Sequence, residues 1–217
     1  MDLTPPPEGP GPGDPAGRQG LLEFLLEREL FRPPLKTVYL FSCRFTRMMR
    51  LNMAVLHFLL SERKESGIYV SVDHPHSYTQ MALKKKNTPL EGLVYVDAIS
   101  RLSGTKGEDS QVRFVASGLA VPILDDLFSR AVLPEGSQRH FVRLEDMGFM
   151  LFDNLNVALQ YSGPEKVKKL MAGLAEQVKK YTSMKLFLVI DPRNLPDMHQ
   201  YLKGICDREL AVEDEWL

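Results

Sequence analysis

The chain has 217 residues, 44% of them hydrophobic and 25% charged, which is enough apolar material for one sizeable core. Its formal net charge is -1, so no overall charge excess favours nucleic acid or an anionic membrane surface. Cys43 and Cys206 are too few for a disulfide framework, and no segment is typical of a secretion signal or membrane span, so we expect a cytoplasmic, single-domain protein.

The amino-terminal segment is rich in proline and glycine. Residues 1–20 contain almost no large apolar side chain, so burial cannot offset the entropy of ordering them, and we predict a disordered tail. Apolar side chains then recur with helical spacing over residues 18–31, up to Pro33 and Pro34, which indicates a short helix. We expect one folded domain over residues 21–205.

Short apolar runs alternate with helical patterns along the rest of the chain. Residues 37–41, 68–72, 93–96, 149–152 and 186–190 are predicted strands, buried on both faces, and residues 47–63, 77–86, 123–132 and 164–181 are predicted helices. Ser162 and Glu165 form a predicted capping box for the last helix. This order predicts an α/β fold, a doubly wound and mostly parallel sheet with helices on both faces.

The turn after the first strand carries arginines where a phosphate-binding loop would need glycines. No glycine occurs over residues 21–66, and no Gly-Lys-Ser/Thr occurs anywhere. Arg44, Arg47 and Arg50 lie near the first turn of the next helix, where the positive helix end disfavours cations unless an anion is close. They either face solvent or pair with carboxylates such as Asp73 or Asp153, or they bind an anionic ligand or partner.

Titratable side chains follow two of the predicted strands. Asp73 and His74 come after residues 68–72, and Asp153 comes after residues 149–152. Open α/β sheets bind their ligands at the carboxyl ends of the strands, so these side chains are candidates for orienting a water or a metal. Without a phosphate group held nearby they have nothing to act on, and an ordinary polar loop is the alternative.

Three segments carry a family resemblance. Residues 67–75, 94–100 and 149–156, with Tyr161 and the helix at Val167, resemble the RecA/KaiC-like (RadA-like) ATPase domain of archaea and bacteria, over roughly residues 35–191. The resemblance implies a RecA-like P-loop NTPase fold in degenerate form, lacking the phosphate-binding loop. It also implies that Asp153 matches the metal-binding aspartate, that Asp73 and His74 match the catalytic acidic pair, and that subunits assemble through their edges as homo- or hetero-oligomers.

Our leading hypothesis is a pseudo-ATPase without cofactor, a protein-interaction or regulatory module in signalling. The first alternative is a nucleotide-binding switch or ATPase that grips phosphates through Arg44, Arg47 and Arg50, with ATP and magnesium as cofactors and Asp153 at the metal. The second alternative is a DNA-associated protein similar to recombinase paralogues, against which the neutral overall charge argues.

The carboxyl-terminal residues 206–217 are predicted to form an acidic tail that contains the only tryptophan. Such a tail is either simply solvated or a docking peptide, since Trp216 with Leu217 can anchor in the pocket of a protein partner.

Overall fold

Parallel strands form the centre of the molecule. The computed structural model describes residues 15–31, 37–100, 112–114, 147–180 and 184–216. Its strands are β1 (Val38–Ser42), β2 (Gly67–Ser71), β3 (Leu93–Asp97), β4 (Val112–Phe114), β5 (Phe149–Phe152), β6 (Lys185–Ile190) and β7 (Arg208–Ala211). They pair in the order β4-β3-β2-β5-β6-β1-β7, and every pairing is parallel. The doubly wound α/β fold class is therefore confirmed.

Helices cover both faces of this sheet. They are α1 (Pro15–Phe31), α2 (Met48–His57), α3 (His76–Lys85), α4 (Leu155–Ser162), α5 (Pro164–Lys180) and α6 (Pro196–Ile205). A 3-10 turn at Phe45–Arg47 leads into α2, and a π-helical turn at Phe58–Glu62 extends it. The predicted helix over residues 123–132 lies outside the described residues. Within the described ranges, no helix is both long enough and apolar enough to cross a lipid bilayer.

Alternating side chains of each strand fill two separate cores. In β1, Val38 and Leu40 face the core beneath α4, α5 and α6, whereas Tyr39 and Phe41 face the core beneath α1, α2 and α3. Both sets are fully buried, which is why these strands are continuous apolar runs rather than alternating ones. The apolar stripe of α5 is also buried, as its spacing predicts; its members are Val167, Leu170, Met171, Leu174 and Val178.

The strand order creates crevices at the carboxyl edge of the sheet. Strands β1 and β2 lead into α2 and α3 on one face, whereas β5 and β6 lead into α4 and α6 on the other. The chain therefore diverges between β2 and β5, and again between β6 and β1. Such divergence points are where open α/β sheets place their ligand sites.

Both chain termini differ from the sequence-based expectation. Helix α1 begins at Pro15, so residues 15–20 of the expected disordered tail are helical; residues 1–14 lie outside the described residues. Residues 206–216 do not form an acidic tail, because β7 pairs with β1 and a 3-10 turn at Asp214–Trp216 follows it. Leu210 and Val212 are buried in the core on the α1 side, so the folded domain extends through residue 216.

The segment after Asp153 forms two helices, where the sequence predicted one. Asn154 caps α4, since its side-chain oxygen accepts hydrogen bonds from the backbone N–H groups of Asn156 at 3.1 Å and Val157 at 3.3 Å. Ser162 ends α4 instead of starting a capping box, and Gly163 separates the two helices with φ of 76°. Glycine adopts this left-handed backbone without strain, which permits the sharp change of direction.

Gly67 is required for the contact between β2 and β5. A Cβ atom at this position would lie 2.4 Å from the ring of Phe149, which is fully buried and has little room to move. We therefore expect Gly67→Ala to lower the free energy of unfolding by about 2 kcal/mol, measured by urea denaturation. The control is Gly204→Ala in α6, where an added Cβ meets nothing within 4 Å. It should stabilise the helix by about 0.5–1 kcal/mol, and equal responses of the two variants would contradict the assignment.

Candidate functional site

Asp153 is buried between β5 and β2 and is held by the neighbouring strand. Its carboxylate accepts a hydrogen bond from the backbone N–H of Val72 at 3.0 Å, and the hydroxyls of Tyr69 and Ser71 lie 3.3 Å from its other oxygen. Burial, together with the charge of Asp73, raises the pKa of Asp153 to about 7 despite the opposing effect of the Val72 hydrogen bond. Both oxygens of the Asp153 carboxylate therefore face hydrogen-bonding groups of β2 and the residue after it.

Asp73 and His74 lie at the rim of the same crevice. The imidazole Nδ1 of His74 lies 3.3 Å from Asp73 Oδ2, and the ring stacks on Tyr78 with centroids 5.1 Å apart. The side-chain amide of Asn154 donates to Asp73 Oδ2 at 3.0 Å. The structure thus brings Asp73, His74 and Asp153 to one crevice. There the Asp73 carboxylate contacts both the imidazole of His74 and the side-chain amide of Asn154.

Asp97 is the last residue of β3, and its carboxylate connects the start of α3 with the loop after β3. Its fully buried carboxylate accepts backbone N–H groups from His76 at 2.8 Å, Ile99 at 2.9 Å and Ser100 at 2.7 Å. The Ser100 hydroxyl and His76 Nδ1 also donate to it, at 2.5 and 2.8 Å. Burial by itself would raise the pKa of Asp97, but the hydrogen bonds from Ser100 and His76 outweigh it, and the pKa lies below its ordinary value.

The arginines after β1 pair with a carboxylate that follows β7. Arg44 Nη1 lies 2.8 Å from Asp214 Oδ2, and Arg47 Nε lies 4.0 Å from Asp214 Oδ1, while Arg50 is exposed on α2. Pairing within the protein is therefore found for two of the three. The expected partners, Asp73 and Asp153, are wrong, because they lie across β6 from this turn.

A second carboxylate holds the start of the helix after β1. Asp191, directly after β6, accepts the backbone N–H of Phe45 at 2.8 Å. The guanidinium of Arg193 binds both oxygens of the same carboxylate. These Arg193 hydrogen bonds, together with the Phe45 N–H, lower the pKa of Asp191 to about 2 against the effect of burial.

Asn156 fixes the backbone that carries Asp191. Its side-chain oxygen accepts the N–H of Asp191 at 2.8 Å, and its side-chain nitrogen donates to the C=O of the same residue at 3.2 Å. Burial, with smaller contributions from Asp191 and Asp214, raises the pKa of the neighbouring Cys43 thiol to about 12, so this thiol stays protonated at neutral pH. Within the described part of the chain, no three His, Cys, Asp or Glu side chains are grouped to hold a metal ion.

Comparison with solved structures identifies the fold. An uncharacterised protein of Pyrococcus horikoshii, solved in complex with an unknown peptide, superposes with a TM-score of 0.59 at 15% identity, covering 88% of this chain and 82% of that one. The flagellar accessory protein FlaH of Methanocaldococcus jannaschii superposes with a TM-score of 0.56 at 13% identity, covering 87% of this chain and 76% of FlaH. A KaiC-like protein of P. horikoshii gives 0.52 at 11% identity, covering 82% and 72%. The chain has a RecA/KaiC-like fold.

The similarity to other proteins was found by comparing structures and not by comparing sequences. No protein-family model matches the sequence, and no curated protein matches it significantly. At identities of 11–15% the superpositions establish the RecA/KaiC-like fold and leave the chemistry to be argued from this chain's own residues.

Sequence reasoning missed several residues that organise the carboxyl edge of the sheet. Asp191 and Asp97 each follow an apolar run directly, which is the same signal that singled out Asp73 and Asp153. Applying that signal to every predicted strand would have found both of them. Arg193 and Asp214 have no such local signal, because their roles depend on which strands become neighbours.

Trp216 is not presented on a free tail. It is partly buried and packs against the core on the α1 side, which argues against its role as a docking peptide; Leu217 lies outside the described residues.

The buried state of Asp153 makes stability depend on pH. A carboxyl whose pKa is higher in the folded than in the unfolded protein binds its proton more tightly when folded. Stability therefore falls as pH rises from about 4 towards 7, by roughly 4 kcal/mol at most. We expect Asp153→Asn to remove this decline, because Tyr69 and Ser71 hydroxyls can accept from an amide. Urea denaturation across this pH range measures it, and parallel curves for both proteins would contradict it.

Asp97→Asn is the matched control with the opposite sign. The pKa of Asp97 is lowered on folding, so its carboxylate stabilises the protein above its ordinary pKa near 4, and this stability is lost as pH falls. The variant should lose most stability at neutral pH and little under acidic conditions.

Proposed function

We propose that this chain is a RecA/KaiC-like module without ATPase chemistry, which acts by binding other proteins in a regulatory or signalling role. One observation carries the proposal: the backbone N–H that opens the helix after β1 donates to the Asp191 carboxylate, at 2.8 Å. That position is where a helix end attracts an anion such as phosphate. Here the anion is an internal side chain.

The charges around this turn support the proposal further. Phosphoryl transfer depends on positioned cations and backbone donors that stabilise charge on the transferring group. The guanidinium of Arg193 is engaged by Asp191, and those of Arg44 and Arg47 face Asp214. A triphosphate would have to displace both carboxylates, and it would then meet Asp191 and Asp214 as repelling charges.

Two of the structural neighbours support a role in protein binding. One was solved in complex with an unknown peptide, and another is named as a flagellar accessory protein. We extend the first property to this chain and propose a protein partner, with assembly as a homo- or hetero-oligomer through RecA-like subunit edges. A magnesium–nucleotide cofactor has no part in this proposal.

Calorimetric titration with magnesium and ATP tests the absence of nucleotide binding. We expect no saturable binding, because the donors and cations at the β6–β1 crevice are already paired. A dissociation constant below roughly 100 μM, about 5.5 kcal/mol of binding free energy, would contradict the proposal. In that case loss of binding in Arg47→Ala and Asp153→Asn would favour the arginine-based nucleotide site.

Removing the internal anion should expose a site for an external one. In Asp191→Ala the Phe45 N–H and the Arg193 guanidinium lose their partner, at the positive end of a helix. We expect about 50 mM phosphate, compared with chloride at equal ionic strength, to stabilise this variant by about 1 kcal/mol more than the natural protein in thermal unfolding. The control is Asp197→Ala, an exposed carboxylate in the first turn of α6. Equal phosphate effects in both variants would contradict the interpretation.

A further inference from the structure

An open groove lies beside the β6–β1 crevice. It has a volume of about 620 Å³ and is formed by the start of the helix after β1, the α4–α5 junction and the turn before α6. Four apolar and three amide side chains line it: Phe45, Leu159, Pro164, Leu195, Asn156, Gln160 and Asn194.

The groove is electrically neutral. None of its lining side chains is charged, and two cations of the same edge are paired within the protein, Arg193 with Asp191 and Arg44 with Asp214. An ionic occupant would lose its hydration without gaining a counter-charge. Charge complementarity therefore selects an uncharged occupant.

The polar groups of the groove match a peptide backbone. The side-chain oxygen and nitrogen of Asn156 both hydrogen-bond to the backbone of Asp191, so this side chain is held in place as part of the groove wall. Gln160 and Asn194 are exposed, and each carries an amide with donors and an acceptor, as a peptide group does. Side-chain amides can thus satisfy an extended backbone laid across the groove.

The apolar groups provide an anchor site. Phe45 is 43% exposed although large and apolar, and it lines the groove together with Leu159 and Leu195. Apolar side chains that enter such a site dominate binding at protein interfaces. Because several wall residues are exposed, the groove does not enclose an occupant as small-molecule sites do.

We propose that this groove binds an uncharged segment of a partner protein, in extended conformation, with one large apolar side chain placed between Phe45 and Leu159. The proposal rests on the proposed function as a protein-binding module and assigns that function a surface. It commits to a separate protein chain rather than to a second copy of this one.

Selection from a phage library of random dodecapeptides on the full chain tests the proposal. We expect enriched peptides to share a large apolar residue within an uncharged stretch. A synthetic peptide of the enriched sequence should lose about tenfold or more in affinity for Phe45→Ala, by fluorescence polarisation. Gln160 is exposed, so Gln160→Ala should weaken peptide binding without lowering the stability of the fold. Phe45→Ala keeps the backbone N–H that Asp191 accepts.

Phe24→Ala is the matched control, since Phe24 is 56% exposed and lies on α1, outside the groove. It should bind the peptide as the natural protein does. Failure to enrich any peptide, enrichment of charged peptides, or unchanged binding by both groove variants would overturn the proposal. Concentration-dependent self-association that Phe45→Ala abolishes would also overturn it, in favour of a second copy. Tight binding of ATP would instead overturn the proposed function, so the two failures are distinguishable.

Discussion

The hydrogen bond from the Phe45 N–H to the Asp191 carboxylate is the interaction on which the carboxyl edge of the sheet depends. It joins the end of β6 to the start of the helix after β1, and Asn156 connects the same point to α4. A helix end with unsatisfied N–H groups needs an anion, and a buried carboxylate needs donors. Here the Asp191 carboxylate accepts the N–H group at the helix end, and the guanidinium of Arg193 neutralises the carboxylate's negative charge. The crevice therefore needs no ligand to be electrostatically complete.

The three aspartates at the ends of β3, β5 and β6 differ both in how deeply they lie and in which groups donate to them. Their side chains are almost inaccessible to solvent, but Asp153 lies deepest in the protein and Asp191 nearest its surface. Asp97 has several N–H and O–H donors and Asp191 has a guanidinium, so their pKa values fall below the ordinary range. Asp153 lies deepest, its donors are neutral and the like charge of Asp73 is nearby, so its pKa is raised. Depth of burial and the number and charge of the donors together determine which carboxylate stays ionised.

Much of the fold could be predicted because its elements are marked by local patterns. The runs that became β1, β2, β3, β5 and β6 were each placed to within one residue at both ends, since a strand buried on both faces must be continuously apolar. Strand β7 was missed because only Leu210 within it is buried and its other positions are polar or small. The candidate site was half predicted: Asp73, His74 and Asp153 do share a crevice, but their partners were not foreseen.

The sequence by itself determined the α/β class, the apolar stripe of α5 and a first turn without glycine, because these depend on neighbours within a few positions along the chain. Only the tertiary structure decided that Arg44 faces Asp214, that Phe45 is held by Asp191 and that a neutral groove lies beside them. Those pairings join residues far apart in sequence, and they exist only because the strand order places β6 next to β1, and β1 next to β7.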